Sequence, residues 1–310
     1  MLEIYSENEW SPLRSVIVGD ATHANWPASD PVFHREMSGE RRWTETKFEF
    51  GPVNQQVIDS ANASLDNFSD VLRSLDVEVH RPLPRNYQDL DQFYGYCPRD
   101  TVLVIGKNII RTPTPYASRR NEWETFLHVF QGHDIIKPGH PDVLFDAANI
   151  CRLGQDVLYL VSATGNIAGA HWLQEFLGKE YRVHILDNIY QGIHIDSTIT
   201  PVREGLVVLN AARVNEDNMP APLKSWDKIW VHEDDLELQD FVHYPYASNW
   251  IGLNFLSINE ELCVIDPKQK VLAEKLRAHG IETIGAELPQ SRTLGGGHHC
   301  VTLDTWREND

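Results

Sequence analysis

The chain has 310 residues, of which 42% are hydrophobic and 23% are charged, and its formal net charge at pH 7 is −18. This length allows one large domain or two ordinary ones, and the composition is that of a soluble globular protein. Because no Lys/Arg-rich run offsets the negative charge, we expect neither a nucleic acid nor an anionic membrane surface as a partner.

The four cysteines and the N-terminus indicate the compartment. Cys97, Cys151, Cys263 and Cys300 are far apart and form no Cys-x-x-Cys pair, which argues against a zinc ribbon or a redox pair. The first residues lack the charged-then-apolar pattern of a signal peptide, and no apolar run approaches membrane-spanning length. We therefore expect a reduced, cytoplasmic protein.

The predicted elements follow the order strand, strand, helix, strand. The first unit has a strand at 15–19, an amphipathic helix at 53–75, where apolar residues recur at three- and four-residue spacing, and a short strand at 77–80. Residues 20–50 lie between the strand and the helix and show little periodicity. Such a segment is either a lid over a site or a surface excursion.

Further units follow in the same order, with hairpins predicted where short turns separate apolar runs. Their elements are strands at 101–105 and 109–110, a helix at 118–130 and a strand near 135; a strand before Gly154, a strand at 157–161, a helix at 167–177 and a strand at 181–185; strands at 194–199, 206–209 and 228–231; and strands at 255–258 and 262–265, a helix at 271–279 and a strand at 282–284. A last strand, starting at Cys300, is left over.

The chain therefore reads as about five units of one kind. No Pro/Gly/Ser-rich linker divides it, and each unit is too small to bury its own apolar faces. We predict a single α/β domain that spans residues 1–310. The leftover strand would then pair with the first unit and close a ring.

The stretch Leu294-Gly295-Gly296-Gly297-His298-His299-Cys300 contains the strongest candidate for chemistry. Consecutive glycines let the backbone adopt positive φ and let another molecule approach closely. A thiol beside bare backbone and imidazoles is a candidate nucleophile. The alternative is a glycine turn that leads into a core strand with an inert, buried thiol.

Ionisable side chains stand where several predicted strands begin. They are Asp100, Asp146, His194 and Asp196. His194 and Asp196 are two residues apart, so on a strand they would share one face. If the strands converge, these groups meet Cys300 at one end. A thiolate, an imidazole and several carboxylates suit a planar cation, because carboxylates accept paired hydrogen bonds from a guanidinium.

These residues carry a resemblance to a known family. Phe145-Asp146-Ala147-Ala148, His194-Ile195-Asp196-Ser197-Thr198 and the glycine stretch ending at Cys300 resemble, in order, three motifs of the glycine amidinotransferase and inosamine-phosphate amidinotransferase family. Trp10-Ser11-Pro12-Leu13, Pro98-Arg99-Asp100 and Asn210 with Arg213 also fit, so the resemblance runs nearly end to end. It implies a five-bladed α/β propeller of ββαβ modules with pseudo-fivefold symmetry.

The resemblance also implies a ping-pong mechanism without a cofactor or metal. Cys300 would attack the guanidino carbon of L-arginine, release L-ornithine and pass the amidino group to an acceptor amine. His194 would act as general acid and then as general base, and Asp146 would orient it. Family members often form dimers, so a homodimer is possible.

Further residues match the family's substrate-binding positions. Asp196 and Asp100 would hold guanidino nitrogens, and Arg213 would bind the donor carboxylate, which suits the bidentate geometry of arginine. Ser248 and Asn249 stand where glycine amidinotransferases have paired serines, and Asn149 stands where they have Asp. These departures surround the pocket and leave the acceptor open.

Three alternatives compete with amidino transfer. A deiminase or dihydrolase of the wider guanidino-modifying superfamily would use the same groups with water as acceptor, but such enzymes usually carry Gly-Gly-Asp where this chain has Ala147-Ala148-Asn149. A metal site formed by His298, His299, His194 and Cys300 is disfavoured because neighbouring residues on a strand, such as the two adjacent histidines, face opposite sides. A non-catalytic scaffold is disfavoured because Cys300, His194 and Asp146 are all present.

Overall fold

The structure is a computed structural model that describes residues 2–38 and 46–308. Within these residues, five three-stranded sheets share one topology, in which a central strand has an antiparallel neighbour on one side and a parallel neighbour on the other. The strands, in chain order, are β1 (Leu13–Val18), β2 (Asn25–Trp26), β3 (Gly51–Pro52), β4 (Glu78–His80), β5 (Val102–Ile105), β6 (Asn108–Arg111), β7 (Ile135–Ile136), β8 (Ile150–Leu153), β9 (Asp156–Leu160), β10 (Arg182–Leu186), β11 (Ile199–Arg203), β12 (Leu206–Asn210), β13 (Asp227–Val231), β14 (Leu256–Asn259), β15 (Leu262–Ile265), β16 (Glu282–Gly285) and β17 (Thr302–Arg307).

The five sheets correspond to the predicted units. Their strand orders are β17-β1-β4, β5-β6-β7, β8-β9-β10, β11-β12-β13 and β14-β15-β16, and β2 and β3 form a separate pair. The first sheet contains both ends of the chain, since β17 runs antiparallel to β1 with Ile17 opposite Leu303. The prediction that the last strand pairs with the first unit is therefore confirmed.

Five α-helices lie in the described residues. They are α1 (Pro31–Ser38), α2 (Gln55–Ser74), α3 (Ile167–Leu177), α4 (Lys270–Ala278) and α5 (Ser291–Leu294). Helix α2 begins where the Asn54 side chain accepts a hydrogen bond from the Gln56 amide at 2.8 Å. Its apolar stripe, which includes Leu65 and Phe68, is buried in the same core as β1 and Cys300. This helix therefore supports the backbone behind the glycine stretch.

Some predicted elements differ in the structure. The predicted helix at 118–130 is instead two 3₁₀ segments, Ala117–Arg119 and Glu122–Phe130, the second interrupted by non-helical dihedrals at Phe126. The predicted strands beginning at His194 and Cys300 begin only at Ile199 and Thr302, because His194 lies in an irregular segment that leads into a turn and Cys300 lies in a turn. The 20–50 segment contains β2 and α1, while residues 39–45 lie outside the described residues.

A buried network of charged side chains lies beneath the ends of several strands. Arg152 contacts Glu9 at 2.7 Å and Asp304 at 2.9 Å, and Arg99 contacts Asp304 at 2.6 Å. Burial raises the pKa of Asp304, but Arg307, Arg99 and Arg152 outweigh it and hold that pKa well below its usual range. Removing one partner would leave a buried charge uncompensated, at a cost of about 3–5 kcal/mol. The network therefore fixes β8, β17 and the N-terminal segment relative to one another.

Candidate active site

The three glycines of the glycine stretch have no side chains and lead to Cys300, whose side chain is buried. Helix α5 ends at Gly295, whose φ of 81° lies in the left-handed region. A Cβ on Gly296 would lie 2.5 Å from Sγ of Cys97 and 3.1 Å from Cβ of Cys300. Only glycine fits there without moving these neighbours, so the residue type follows from the close approach of the two thiols.

Three hydrogen bonds hold Cys300. Its amide donates to Oδ1 of Asn254 at 2.9 Å, Nδ2 of Asn254 donates to Sγ at 3.2 Å, and Sγ donates to Oδ2 of Asp196 at 3.0 Å. The pKa of the thiol lies well above its usual range because of its contact with the Cys97 thiol, its burial and the negative charge of Asp196. With the site empty, the sulfur is therefore held as a neutral thiol.

His194 lies between two carboxylates. Nε2 lies 3.1 Å from Oδ2 of Asp146, and Nδ1 lies 3.7 Å from Oδ1 of Asp100. Burial lowers the pKa of His194, but Asp100 and Asp146 outweigh it and raise that pKa to about 9. The imidazole is therefore protonated at neutral pH, as a general acid must be before it acts.

Hydrogen bonds outside the cavity position the two residues whose carboxylates lie beside His194. Asp100 ends the 3₁₀ segment Pro98–Asp100 and accepts a 2.6 Å hydrogen bond from the buried guanidinium of Arg119. Asp146 precedes the segment Ala147–Asn149, and its backbone amide donates to Oδ1 of Asn149 at 3.2 Å. Among the described residues, Oδ1 of Asp100 and Oδ1 of Asp146 have no hydrogen-bond donor.

Asp196 is shared between the thiol and a second imidazole. Its Oδ2 lies 3.1 Å from Nδ1 of His299, whose Nε2 lies 3.3 Å from Oε2 of Glu9 in the buried charge network. Burial raises the pKa of Asp196, but His299, His194 and the Cys300 thiol outweigh it, so that pKa lies well below its usual range. Asp196 is thus an anion placed beside the sulfur.

A cavity of about 110 Å³ opens onto the thiol, His194 and Asp196, whereas Asp100 and Asp146 contact His194 but do not belong to its walls. Its walls include Cys300, His194, Asp196, Arg213 and Ser248, together with Glu36, Tyr190 and Tyr246. The Arg213 guanidinium lies 3.7 Å from the centre of the Tyr190 ring and donates to Oγ1 of Thr198 at 2.7 Å. Asn249 does not belong to these walls; its buried Oδ1 has no partner among the described residues.

The structure thus brings together most of the residues that the sequence indicated, but by a different local geometry. His194 and Asp196 share the site from an irregular segment and the turn that follows it before β11, not from a strand face. Asn254, His299 and Glu36 are neighbours that the sequence reasoning did not place in the site. Signals existed for His299, which directly precedes Cys300, and for Glu36, which belongs to the 20–50 segment; Asn254 reaches the site through tertiary folding alone.

The adjacent histidines His298 and His299 have separate structural partners. His298 contacts the carbonyl oxygen of Ala286 at 2.8 Å and packs edge-on against Phe68, while His299 contacts Asp196 and Glu9. Across residues 2–38 and 46–308, no group of three or more His, Cys, Asp or Glu side chains is arranged to hold a metal ion. None of the helices in that part of the chain combines the length and the apolarity of a membrane-spanning helix.

No protein-family model matches the chain. Known proteins and solved structures, in contrast, are similar to the chain along nearly its whole length. The chain is 38% identical to inosamine-phosphate amidinotransferase 1 of Streptomyces griseus, over 97% of this chain and 96% of that protein. It is 28% identical to L-arginine:L-lysine amidinotransferase of Pseudomonas savastanoi pv. phaseolicola, over 98% and 94% of the two chains.

The same relationship appears in three dimensions. The solved inosamine-phosphate amidinotransferase of Streptomyces griseus superposes with a TM-score of 0.92 at 35% identity, covering 99% of this chain and 97% of that one. A dimethylarginine dimethylaminohydrolase of Pseudomonas aeruginosa superposes with a TM-score of 0.66 at 16% identity, over 94% and 99% of the two chains, which is a likeness of fold. The chain therefore has an α/β fold and belongs to the amidinotransferase family that includes the inosamine-phosphate and glycine amidinotransferases.

Proposed function

We propose that this amidinotransferase moves the amidino group of L-arginine to an acceptor amine through a covalent amidino-cysteine at Cys300, and releases L-ornithine. The observation that carries the proposal is the single cavity whose walls hold Cys300, His194, Asp196 and Arg213. This cavity has a nucleophile, a protonated imidazole and an anion at one end, and a guanidinium that suits a carboxylate elsewhere in its walls.

The bound donor would activate the thiol. In the empty site, Asp196 favours the neutral thiol of Cys300. A guanidinium in the cavity places a positive charge beside both groups, which lowers the thiol pKa and favours release of the thiol proton to solvent. Asp196 and the unpaired oxygen of Asp100 would accept hydrogen bonds from the guanidino nitrogens, while Arg213 would bind the donor carboxylate.

The first half-reaction transfers the amidino group from L-arginine to Cys300. The thiolate of Cys300 forms a C–S bond to the guanidino carbon, and protonated His194 gives its proton to the departing nitrogen as that C–N bond breaks. L-Ornithine leaves, and a cationic amidino-thioether and a neutral His194 remain. Asp146, 3.1 Å from Nε2, would fix the ring orientation and stabilise the imidazolium.

The second half-reaction reverses these roles. An acceptor amine enters the space that ornithine vacated, and neutral His194 takes a proton from the attacking nitrogen. A C–N bond forms, the C–S bond breaks and the thiolate returns. Because the acceptor occupies the same cavity, its walls, including Glu36, Tyr190 and Ser248, select the acceptor.

We also propose that residues 1–310 form one domain in which the five sheets are blades of a propeller. The first strands of several units touch one another: β17 contacts β5, β8 contacts β11, and β11 contacts β14, while β14 contacts β1, the central strand of the first sheet. Equivalent strands in sequential contact are what a ring of five ββαβ modules requires. The turns that carry Asp100, Asp146, Asp196 and Cys300 all precede such first strands, so a ring would gather them at one end.

Intact-mass measurement after incubation with L-arginine tests the mechanism. We expect a mass gain of one amidino group and release of one ornithine per active site, both absent in Cys300→Ala. A panel of glycine, L-lysine and an inosamine phosphate should then discharge the adduct with at least one amine. Release of citrulline or ammonia without transfer would instead identify a hydrolase.

A further inference from the structure

A second cavity, of about 370 Å³, lies apart from the one at Cys300, and the two share no lining residue. Four basic side chains belong to its walls, namely Arg111, Arg120, Lys137 and His140, and no acidic side chain does. The walls also contain Thr112 and Thr114. In a chain with a net charge of −18, a concave site lined only by basic and neutral groups is a local exception. We call it the basic pocket.

The cations of the basic pocket are not neutralised by neighbours. In the described part of the chain, no carboxylate lies within 4.0 Å of the charged atoms of Arg111, Arg120 or Lys137. Of the acids nearby, Glu124 is paired with Arg85 at 3.0 Å, and Asp142 contacts His140 at 3.8 Å. Burial lowers the pKa of Arg111; the negative charge of Glu124 opposes this effect, and the positive charge of Arg120 adds a smaller lowering effect. Arg111, Arg120 and Lys137 thus face one cavity without a carboxylate in direct contact with them.

One of these guanidiniums is already oriented. Arg111 lies 4.9 Å from the centre of the Trp123 ring, and its Nη2 donates to the carbonyl oxygen of Arg120 at 2.8 Å. A guanidinium has five N–H donors, so others stay available for a ligand. Arg120 and Lys137 are exposed and add mobile donors of the same charge.

We propose that the basic pocket binds a phosphate group, either as inorganic phosphate or as the phosphoryl group of a small phosphomonoester. Guanidiniums bind phosphate oxygens in a bidentate manner, and a lysine adds a point charge. The volume of the pocket falls in the range of sites for small organic ligands, so it has room for more than a bare ion.

The basic pocket adjoins the backbone that carries two of the site carboxylates. The amide of Thr112 donates to the carbonyl oxygen of Thr101 at 3.0 Å, and its hydroxyl donates to that of Asp100 at 3.0 Å. The amide of Phe145, which precedes Asp146, donates to the carbonyl oxygen of Pro113 at 3.3 Å. The walls of this pocket therefore lie one hydrogen bond from the segments that hold Asp100 and Asp146.

A phosphorus NMR titration of the full-length protein tests the proposal. Inorganic phosphate and a sugar phosphomonoester serve as separate probes and distinguish the free ion from a phosphoryl group on a larger ligand. We expect saturable binding of at least one probe, weakened by added salt because screening reduces charge attraction. The double variant Arg120→Gln/Lys137→Gln should bind about tenfold more weakly or worse.

A matched control separates the pocket from general charge. Lys179 and Lys270 are exposed and lie outside both cavities, so Lys179→Gln/Lys270→Gln removes the same two charges elsewhere. This variant should bind as the unmodified protein does, and both variants should have the same melting temperature. No saturable binding to the unmodified protein, equal losses in both variants, or undiminished binding to Arg120→Gln/Lys137→Gln would each overturn the proposal.

Discussion

The thiol of Cys300 donates a hydrogen bond to Oδ2 of Asp196 at 3.0 Å, and both side chains are buried. The carboxylate that would bind a cationic donor therefore also keeps the sulfur protonated while the cavity is empty. A cysteine in this arrangement has a smaller thiolate fraction, and so a lower reactivity, than it has with a positive charge beside it. Reactivity of the nucleophile is thereby linked to occupancy of the site.

This link makes Asp196→Asn an informative substitution. Removing the negative charge should lower the thiol pKa of Cys300, so that a small alkylating agent modifies it faster at a given pH. Formation of the amidino adduct from L-arginine should be lost, because a neutral amide no longer binds the guanidinium. Peptide mapping after iodoacetamide treatment across a pH series measures the first effect. An alkylation midpoint that stays at, or moves above, that of the unmodified protein would contradict the role assigned to Asp196.

The raised pKa of His194 predicts a pH limit for the first half-reaction. Adduct formation needs protonated His194, so its rate should fall as pH rises through about 9. Asp146→Asn removes a charge and a hydrogen bond that favour the imidazolium, and should move this fall to lower pH. Single-turnover ornithine release at a series of pH values measures the shift. An alkaline limb in the same place in both proteins would show that Asp146 does not set this pKa.

The raised pKa of His194 also makes the stability of the folded protein depend on pH. The pKa of His194 is raised from a usual value of 6.5 to about 9, so the folded state binds the proton more tightly than the unfolded state. The stabilisation is fully present below pH 6.5 and is lost as pH rises through about 9. Urea unfolding of the unmodified protein should therefore show a decline over this window that His194→Asn lacks. If the free energy of unfolding depends on pH in the same way in both proteins, the raised pKa of His194 does not contribute to stability.

The role of Arg213 can be tested by comparing two donors, one with a carboxylate and one without. If its guanidinium binds the donor carboxylate, Arg213→Ala should lower kcat/KM for L-arginine by roughly tenfold to a hundredfold, the worth of a charge-assisted hydrogen bond. Agmatine lacks that carboxylate, so the substitution should change its rate little. Initial rates of adduct formation with both donors measure the difference. An equal loss with both would mean that Arg213 acts only through its contacts with Tyr190 and Thr198.

Much of the architecture could be predicted from the sequence because each unit is locally encoded. Alternating and helical periodicities located most strands and helices, and α3 spans Ile167–Leu177, the range predicted. The exception at 118–130 has a physical reason. That segment includes Phe126 and Phe130, whose burial against β5 and β6 outweighs a regular helical path.

The candidate site was predictable where the chemistry lies in a motif and not where it depends on packing. Cys300 and His194 stand in recognisable stretches, and the structure places both in one cavity. Asn254 could not be found in this way, since its two contacts with Cys300 join residues 46 positions apart. The sequence also could not show that His194 and Asp196 approach from a loop before β11, because period-two spacing is also expected on a strand.

The contact between Gly296 and Cys97 leads to a prediction about the framework of the site. Gly296→Ala places a methyl group 2.5 Å from Sγ of Cys97, so the backbone segment that leads to Cys300 must shift. We expect this shift to lower both the stability of the protein and the rate of adduct formation. Cys97→Ala removes that sulfur and should restore part of each loss in the double variant, although the contacts of the new methyl group with Cβ of Cys300 at 3.1 Å and with Tyr96 at 3.2 Å remain. Unfolding free energies and single-turnover rates for the double-mutant cycle measure the coupling. Additive losses in the double variant would mean that the two thiols do not constrain the glycine stretch as the structure indicates.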